Sequence, residues 1–293
     1  MKKISGTGVA LITPFKNDKS VDFNAIKTLI NNVIDGGVDF LVVLGTTGET
    51  TSLNKSEKQQ IIEFVIKTNN GRLPMVLGLG GNNTTNLINE INSHNLTPFS
   101  AILSVTPYYN KPSQEGMYQH YSLISNASPI PIILYNVPSR TGVNMSAELT
   151  LRLANDFDNI ISIKEASGDM NQIKKILQNK PKGFDVLSGD DGLTLEIIRN
   201  GGAGVISVIG QSHPQEFSLL VSSALRQEFA KAQTIHDKLY GLYHYLYSEG
   251  NPSGIKALLS LKGICDNSLR LPLVSISKEL NNELIKYLNN EIF

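Results

Sequence analysis

Residues 8–45 read GVALITPFKNDKSVDFNAIKTLINNVIDGGVDFLVVLG, and they hold one complete strand–helix–strand unit. The run 8–13 is apolar and β-branched and stops at Pro14. Across 22–35, Phe23, Ile26, Leu29, Ile30, Val33 and Ile34 recur at helical spacing, and Gly36-Gly37 ends the segment. A second apolar run follows at 40–45. Two strands joined through a helix lie parallel, and strands that are apolar almost throughout belong to a sheet covered on both faces.

The same unit recurs as far as about residue 225. Strands are expected at 8–13, 40–45, 75–80, 101–106, 132–136, 160–164, 185–188 and 204–208, with helical segments between them. Asn54, with Glu57 three residues on, makes a capping box ahead of Ile61, Ile62 and Val65. Ser146 with Glu148 opens a later helix, and Gly201-Gly202 closes the one that carries Leu193, Ile197 and Ile198. Eight such pairs predict an α/β fold, a (β/α)8 TIM barrel over residues 1–225. The rival, an open doubly wound sheet, announces itself by a glycine-rich phosphate turn after the first strand. Here that strand ends in Thr13-Pro14-Phe15, and no G-x-G-x-x-G occurs. From about Arg226 the helical period continues without strands, in Phe229, Ile235, Leu239 and Leu246, then Ile255, Leu258 and Leu259, then Leu280, Leu284 and Leu288. Residues 226–293 are therefore expected to be a C-terminal helical extension packed on the barrel.

Composition excludes several classes of partner. The chain has 293 residues, with 26 basic balanced by 26 acidic side chains, and it contains no basic run or acidic tail. Neither nucleic acid nor a charged membrane surface is implied. No apolar run approaches the ~18 residues that a membrane span needs. The Lys2-Lys3 pair is followed by an apolar stretch too short for a secretory signal. The single cysteine, Cys265, has no partner for a disulfide and is expected to be a small buried hydrophobe. A cytoplasmic protein is the expectation. The five histidines are scattered, and His236 and His244 lack zinc-ligand spacing. Asp190-Asp191 resembles a metal pair, but neighbouring side chains diverge, so substrate-side hydrogen bonding or helix N-capping is expected there. Neither a metal nor a nucleotide cofactor is predicted.

In such a barrel the site lies at the C-terminal ends of the strands. Those ends deliver GTTGE at 45–49, TPYYN at 106–110, YNVPSR at 135–140, Lys164-Glu165 and SGDD at 188–191. Hydroxyls, phenols, one lysine and one arginine thus converge, a set suited to covalent amine chemistry with proton relays. Lys164 follows Ile160-Ile161-Ser162-Ile163, so its backbone belongs to a buried strand. Its ammonium either reaches solvent or is held in the barrel, where desolvation favours the neutral amine that adds to a ketone. Tyr135, on the preceding strand, is either a core tyrosine or a proton shuttle for that amine, with Thr46 continuing the path towards solvent. Thr47 and nearby backbone amides suit a carboxylate. Arg140 offers a bidentate fork to a second one, or is a solvated loop arginine.

Read together, these strings resemble the dihydrodipicolinate synthase and N-acetylneuraminate lyase superfamily, and within it the dihydrodipicolinate synthase branch. GVALITP at 8–14, GTTGET at 45–50, TPYYNKPSQEG at 106–116, YNVPSRTG at 135–142, IKEASG at 163–168, LSGDD at 187–191, GVISV at 204–208 and LRLP at 269–272 occur in order over nearly the whole chain. The resemblance implies that Lys164 forms a Schiff base with pyruvate and that Tyr135, Thr46 and Tyr109 relay protons, Tyr109 reaching into a neighbouring subunit. It implies that Thr47 holds the pyruvate carboxylate and Arg140 that of an aldehyde substrate, L-aspartate 4-semialdehyde. It also implies that main chain at Gly189 and Ile206 borders the substrate. A homotetramer of two tight dimers follows from the same resemblance. Arg140 separates this branch from sialic-acid lyases, which lack an arginine in that motif. The positions matching a lysine feedback site are Thr50, Thr51, Lys55, Lys58, Asn82, Asn86 and Tyr108. Inhibited relatives commonly have His or Glu at position 58 and Glu at 86, so weak or absent feedback by lysine is expected. Leu79 is a lesser departure, since the family often has a small or polar residue there. Two alternatives remain: a pyruvate-dependent aldolase acting on a keto-sugar acid, and a non-catalytic barrel that binds a keto acid.

Overall fold

The computed structural model describes residues 4–290; Lys2, Lys3 and residues 291–293 lie outside that range. Eight parallel strands close on themselves in chain order: β1 (Gly6–Ala10), β2 (Phe40–Val43), β3 (Met75–Gly78), β4 (Ala101–Val105), β5 (Ile132–Asn136), β6 (Ile160–Glu165), β7 (Asp185–Ser188) and β8 (Gly204–Ser207). Pairing of β1 with β8, through Gly6 to Gly204 and Gly8 to Ile206, seals the barrel. The helices between them are α1 (Phe23–Asp35), α2 (Lys55–Asn69), α3 (Thr84–Ser93), α4 (Gln114–Ala127), the single turn α5 (Pro138–Thr141), α6 (Ala147–Asp156), α7 (Met170–Asn179), α8 (Thr194–Arg199) and α9 (Pro214–Leu225). The expected (β/α)8 barrel is thus the fold.

Strand period 2 divides the apolar residues into two layers. Phe40, Val42, Val76, Ala101, Leu103, Ile133, Tyr135, Leu187 and Ile206 pack together inside the barrel. Their neighbours Leu41, Val43, Leu77, Ile102, Ile132, Leu134, Ile163 and Val186 join the larger core beneath the helices. A Cβ on Gly8 would lie 2.1 Å from the Phe40 ring, so the glycine makes room for that ring in the interior.

Several boundaries differ from the sequence expectation. The first strand ends at Ala10, not Thr13. Ile12 gives its N–H to the Gln211 side chain at 2.8 Å, and the Thr13 hydroxyl donates to the Gly48 carbonyl at 2.7 Å. Leu11 still gives its N–H to the Val42 carbonyl on β2, but at Ile12 and Thr13 side-chain and loop partners replace the ladder although both are buried, and composition does not distinguish the two. The second strand stops before Leu44, whose φ of +57° turns the chain out of the sheet. Leu193 caps α8 rather than lying in it. The capping box at Asn54 forms as expected, with Glu57 N–H donating to Asn54 and Asn54 N–H to the Glu57 carboxylate. Asp22 and Ser146 cap α1 and α6.

Three helices follow the barrel: α10 (Phe229–Tyr247), α11 (Ser253–Leu261) and α12 (Lys278–Asn290). Leu239, Leu242, Leu246, Ile255, Leu258, Leu259 and Leu284 bury one continuous face. Gly254 lies so close to α10 that a Cβ would meet the Tyr245 carbonyl at 2.4 Å, which locks the turn between α10 and α11. Cys265 is half-buried rather than fully buried, and desolvation raises its thiol pKa to about 11. Among the described residues no helix is long and apolar enough to cross a membrane.

Candidate active site

Lys164 and Tyr135 are direct register partners on neighbouring strands, so their side chains leave the sheet on the same side. Tyr135 belongs to the interior cluster. The Lys164 ammonium stands 4.4 Å from the centroid of the Tyr135 ring, and Lys164 is only 5% exposed. The amine is therefore held in the barrel beside a phenol and does not reach bulk solvent. Gly189, at the end of β7, borders it. A Cβ at this position would lie 3.0 Å from Lys164 Cε and 2.6 Å from Ala166 Cβ, so a larger residue would displace the lysine stem. Ile206, on β8, is buried in the same interior cluster.

The next residue along the strand, Glu165, points the opposite way. Its carboxylate accepts from Asn136 Nδ2 at 3.1 Å, Gln172 Nε2 at 3.0 Å and the Ser167 N–H at 2.8 Å. Burial pushes its pKa up, and these donors oppose the shift. It ties the ends of β5 and β6 to α7 from behind and takes no part beside the amine.

The loop after β2 folds into two short 3₁₀ turns, Thr46–Gly48 and Thr50–Ser52, hinged at Glu49 with φ +51°. Thr46 is exposed at the mouth and Thr47 is buried. A groove of about 1100 Å³ opens here and contains Thr46, Tyr135 and Arg140 in its lining. It continues past all seven positions of the expected feedback site, Thr50, Thr51, Lys55, Lys58, Asn82, Asn86 and Tyr108, towards Glu90 and His94. Leu79 lies in this wall as a buried side chain, and nothing in the structure gives its size a purpose. Thr47, Lys164, Gly189 and Ile206 are not part of that lining, and Thr47, Lys164 and Ile206 are buried. Tyr109 also stands apart. It is 88% exposed and held at φ +77°, a conformation that costs an aromatic residue energy.

Arg140 lies in the single turn α5 rather than in a loop. Its guanidinium donates to the Asn251 carbonyl at 2.9 Å. Asn251 Nδ2 in turn donates to Thr47 Oγ1 at 2.9 Å. The expected anchors for two carboxylates are thus joined through one residue of the C-terminal extension, which sequence reading missed. Its only signal was Asn251-Pro252, a turn dipeptide interrupting a helical tail.

A second link from the extension was equally illegible. Lys256, on α11, is fully buried and pairs with Glu49 at 2.5 Å. Lys256 also donates to the Ser268 carbonyl at 2.8 Å and lies 4.2 Å from the Phe15 centroid. Arg270 gives its backbone N–H to Glu49 and its guanidinium to Glu57. At the end of β7, Asp190 accepts from the Gly192 and Leu193 amides. Asp191 accepts from the Ile209 amide at 2.9 Å and the Tyr247 hydroxyl at 2.8 Å. Neither aspartate caps α8, whose cap is Leu193: Asp190 closes the turn before that helix, and Asp191 tethers the end of β8 to α10. Among the described residues no group of three His, Cys, Asp or Glu side chains is placed to hold a metal ion.

A buried amine beside a phenol, with a hydroxyl and a guanidinium at the mouth, is equipped to capture a keto acid covalently. Comparison with known proteins points to the same chemistry. The profile of the dihydrodipicolinate synthetase family matches residues 3–291. A 4-hydroxy-tetrahydrodipicolinate synthase of Flavobacterium psychrophilum is 53% identical over 284 residues, 97% of each chain. One of Phocaeicola vulgatus is 53% identical over 272 residues, covering 93% of this chain and 92% of its own. The crystal structure of dihydrodipicolinate synthase from Aquifex aeolicus superposes with a TM-score of 0.94 at 39% identity, covering 98% of this chain and 97% of that one. With the barrel closed, the lysine inside it and the match running almost end to end, the chain belongs to the dihydrodipicolinate synthetase family.

Proposed function

We propose that this chain is a lyase-type synthase that condenses pyruvate with L-aspartate 4-semialdehyde through a Schiff base on Lys164, giving 4-hydroxy-tetrahydrodipicolinate for diaminopimelate and lysine synthesis. The observation that carries the reading is the pairing of Lys164 with Tyr135 inside the barrel, together with relatives about half identical that bear that activity in their name.

The Nζ lone pair of neutral Lys164 adds to the keto carbon, and loss of water leaves the imine. The imine acidifies the methyl protons, and Tyr135 takes one to give the enamine. The enamine carbon bonds to the aldehyde carbon, and the aldehyde oxygen takes up a proton. The amino group of the second substrate then attacks the imine carbon, closes the ring and releases Lys164 as the free amine. One water is lost overall. Thr47 holds the keto-acid carboxylate, Arg140 holds that of the aldehyde, and main chain at Gly189 and Ile206 borders the adduct. No metal is needed to stabilise the carbanion, because the iminium nitrogen takes up its electrons.

Thr46 carries protons outwards from Tyr135. The strained and exposed ring of Tyr109 supports its use in a neighbouring copy, and hence an assembly of tight dimers, paired into a tetramer. A lone cysteine fits a cytoplasmic setting. The groove with Lys55, Lys58 and Asn86 is ill suited to a lysine ammonium, so feedback by lysine is weak or absent; a rate halved by millimolar lysine at saturating pyruvate would contradict this.

A keto-sugar acid substrate is less well supported, since Arg140 offers a charge that a long neutral sugar does not use. A silent binder has no use for the amine and phenol together. The test is a coupled assay with pyruvate and aspartate semialdehyde, alongside borohydride reduction with pyruvate and mass analysis. Turnover and an adduct at Lys164 are expected. An adduct with turnover only on a sugar acid would favour the other aldolase, and an unlabelled protein the binder.

A further inference from the structure

We propose that Asn251 is a positioning residue that sets the direction of the Thr47 hydroxyl, turning it into a dedicated proton donor for the keto-acid carboxylate. The proposal rests on the reading of the site given above.

A threonine hydroxyl has one proton to give and accepts on its oxygen. In the structure Asn251 Nδ2 donates to Thr47 Oγ1 at 2.9 Å, so one of the two lone pairs of the hydroxyl is taken and its proton is directed away from Asn251, towards a ligand. This is the one hydrogen bond of the Asn251 side chain, whose Oδ1 is buried without a partner among the described residues. The side chain is thus committed to Thr47. A hydroxyl oriented in this way binds an anion without having to reorient. The geometry separates the two anchors. Arg140 bonds the main-chain carbonyl of Asn251, which survives any change of side chain, whereas Thr47 depends on the side-chain amide. The close approach of Gly254 to α10 holds the Asn251 turn in place.

The experiment uses the full chain and two probes, pyruvate and hydroxyacetone, a ketone without a carboxylate, each trapped on Lys164 by borohydride. In Asn251→Ala the pyruvate concentration for half-maximal trapping should rise about tenfold, as for one lost hydrogen bond to a charged acceptor. Hydroxyacetone trapping and KM for the aldehyde substrate should be unchanged. Asn251→Asp, nearly isosteric, can only accept from Thr47 and should weaken pyruvate further. In a Thr47→Val background, Asn251→Ala should have no additional effect. Equal losses for both ketones would make Asn251 merely structural, and an Asp variant that binds pyruvate normally would reverse the assigned direction; either result overturns the proposal. A wild-type protein that no keto acid labels would instead overturn the Schiff-base reading, and the proposal with it.

Discussion

The amine of Lys164 owes its reactivity to where a strand ends. Position 164 faces inwards and position 165 outwards, so two consecutive ionisable residues share no surroundings. Lys164 lies 4.4 Å from an aromatic ring, while Glu165 is held by amide and amine hydrogens behind the sheet. A shift of one residue in register would exchange them. Removing the Tyr135 hydroxyl should leave the lysine in place but take away its proton carrier. Tyr135→Phe is therefore expected to slow turnover by about 10²–10⁴-fold while pyruvate trapping persists, which stopped-flow and mass analysis would check; full activity would exclude the phenol from the relay. Arg140 acts at the other substrate. Arg140→Ala should raise KM for the aldehyde and leave the pyruvate dependence largely intact. If pyruvate binding fails instead, the arginine has been assigned to the wrong acid.

Elements outside the barrel hold the loop that follows β2. Glu49, at the hinge of the two short turns, is paired with Lys256 from α11, and both side chains are closed to solvent. Burial lowers the Lys256 pKa, and Glu49 opposes that shift without cancelling it. Such a pair adds little over a well-packed apolar substitute, but breaking it strands a charge. Lys256→Met should cost about 3–5 kcal/mol of stability by leaving a buried carboxylate without its paired ammonium, and the double change with Glu49→Gln should recover much of that; urea midpoints of the three variants provide the test. A single variant as stable as the parent would mean that the loop relaxes to admit water. This clamp also marks where sequence reading stopped. The barrel was legible because strand and helix periods, caps and stops repeat eight times, each repeat local. Lys164, Tyr135 and Arg140 were legible because each lies at or just beyond the end of a recognisable strand. Lys256 and Asn251 were not, because their partners lie about 200 residues away in helices that read only as amphipathic, and a buried lysine inside a helix looks like any solvated one. Ile12 and Thr13 misled for the converse reason, being buried and β-branched without belonging to a ladder.

For the molecule as a whole, two histidines that take no part in the site contribute to its acid sensitivity. His120 on α4 is buried against the Tyr121 edge with Thr84 on its Nδ1, and its pKa is lowered to about 4 by desolvation. His213, ahead of α9, is lowered to about 3 by burial and by the charge of Lys262. In the unfolded chain both protonate near pH 6.5. Between there and their folded values the unfolded state binds more protons, so stability is fully present above about pH 6.5 and is lost as pH falls. Below the folded values both states are protonated and the loss ceases. Glu165 and Asp191 act in the opposite sense. Desolvation raises their folded pKa values, so the folded state takes up their protons first and gains stability on acidification. The net slope mixes the two, but a difference between variants isolates the histidine. His120→Gln should flatten the fall in unfolding free energy between pH 6 and 4 by about 1.4 kcal/mol per pH unit, read from urea titrations of both proteins at each pH. Parallel curves would mean that His120 reaches solvent or a counter-charge in the folded protein, and that the acid limit of the barrel lies elsewhere.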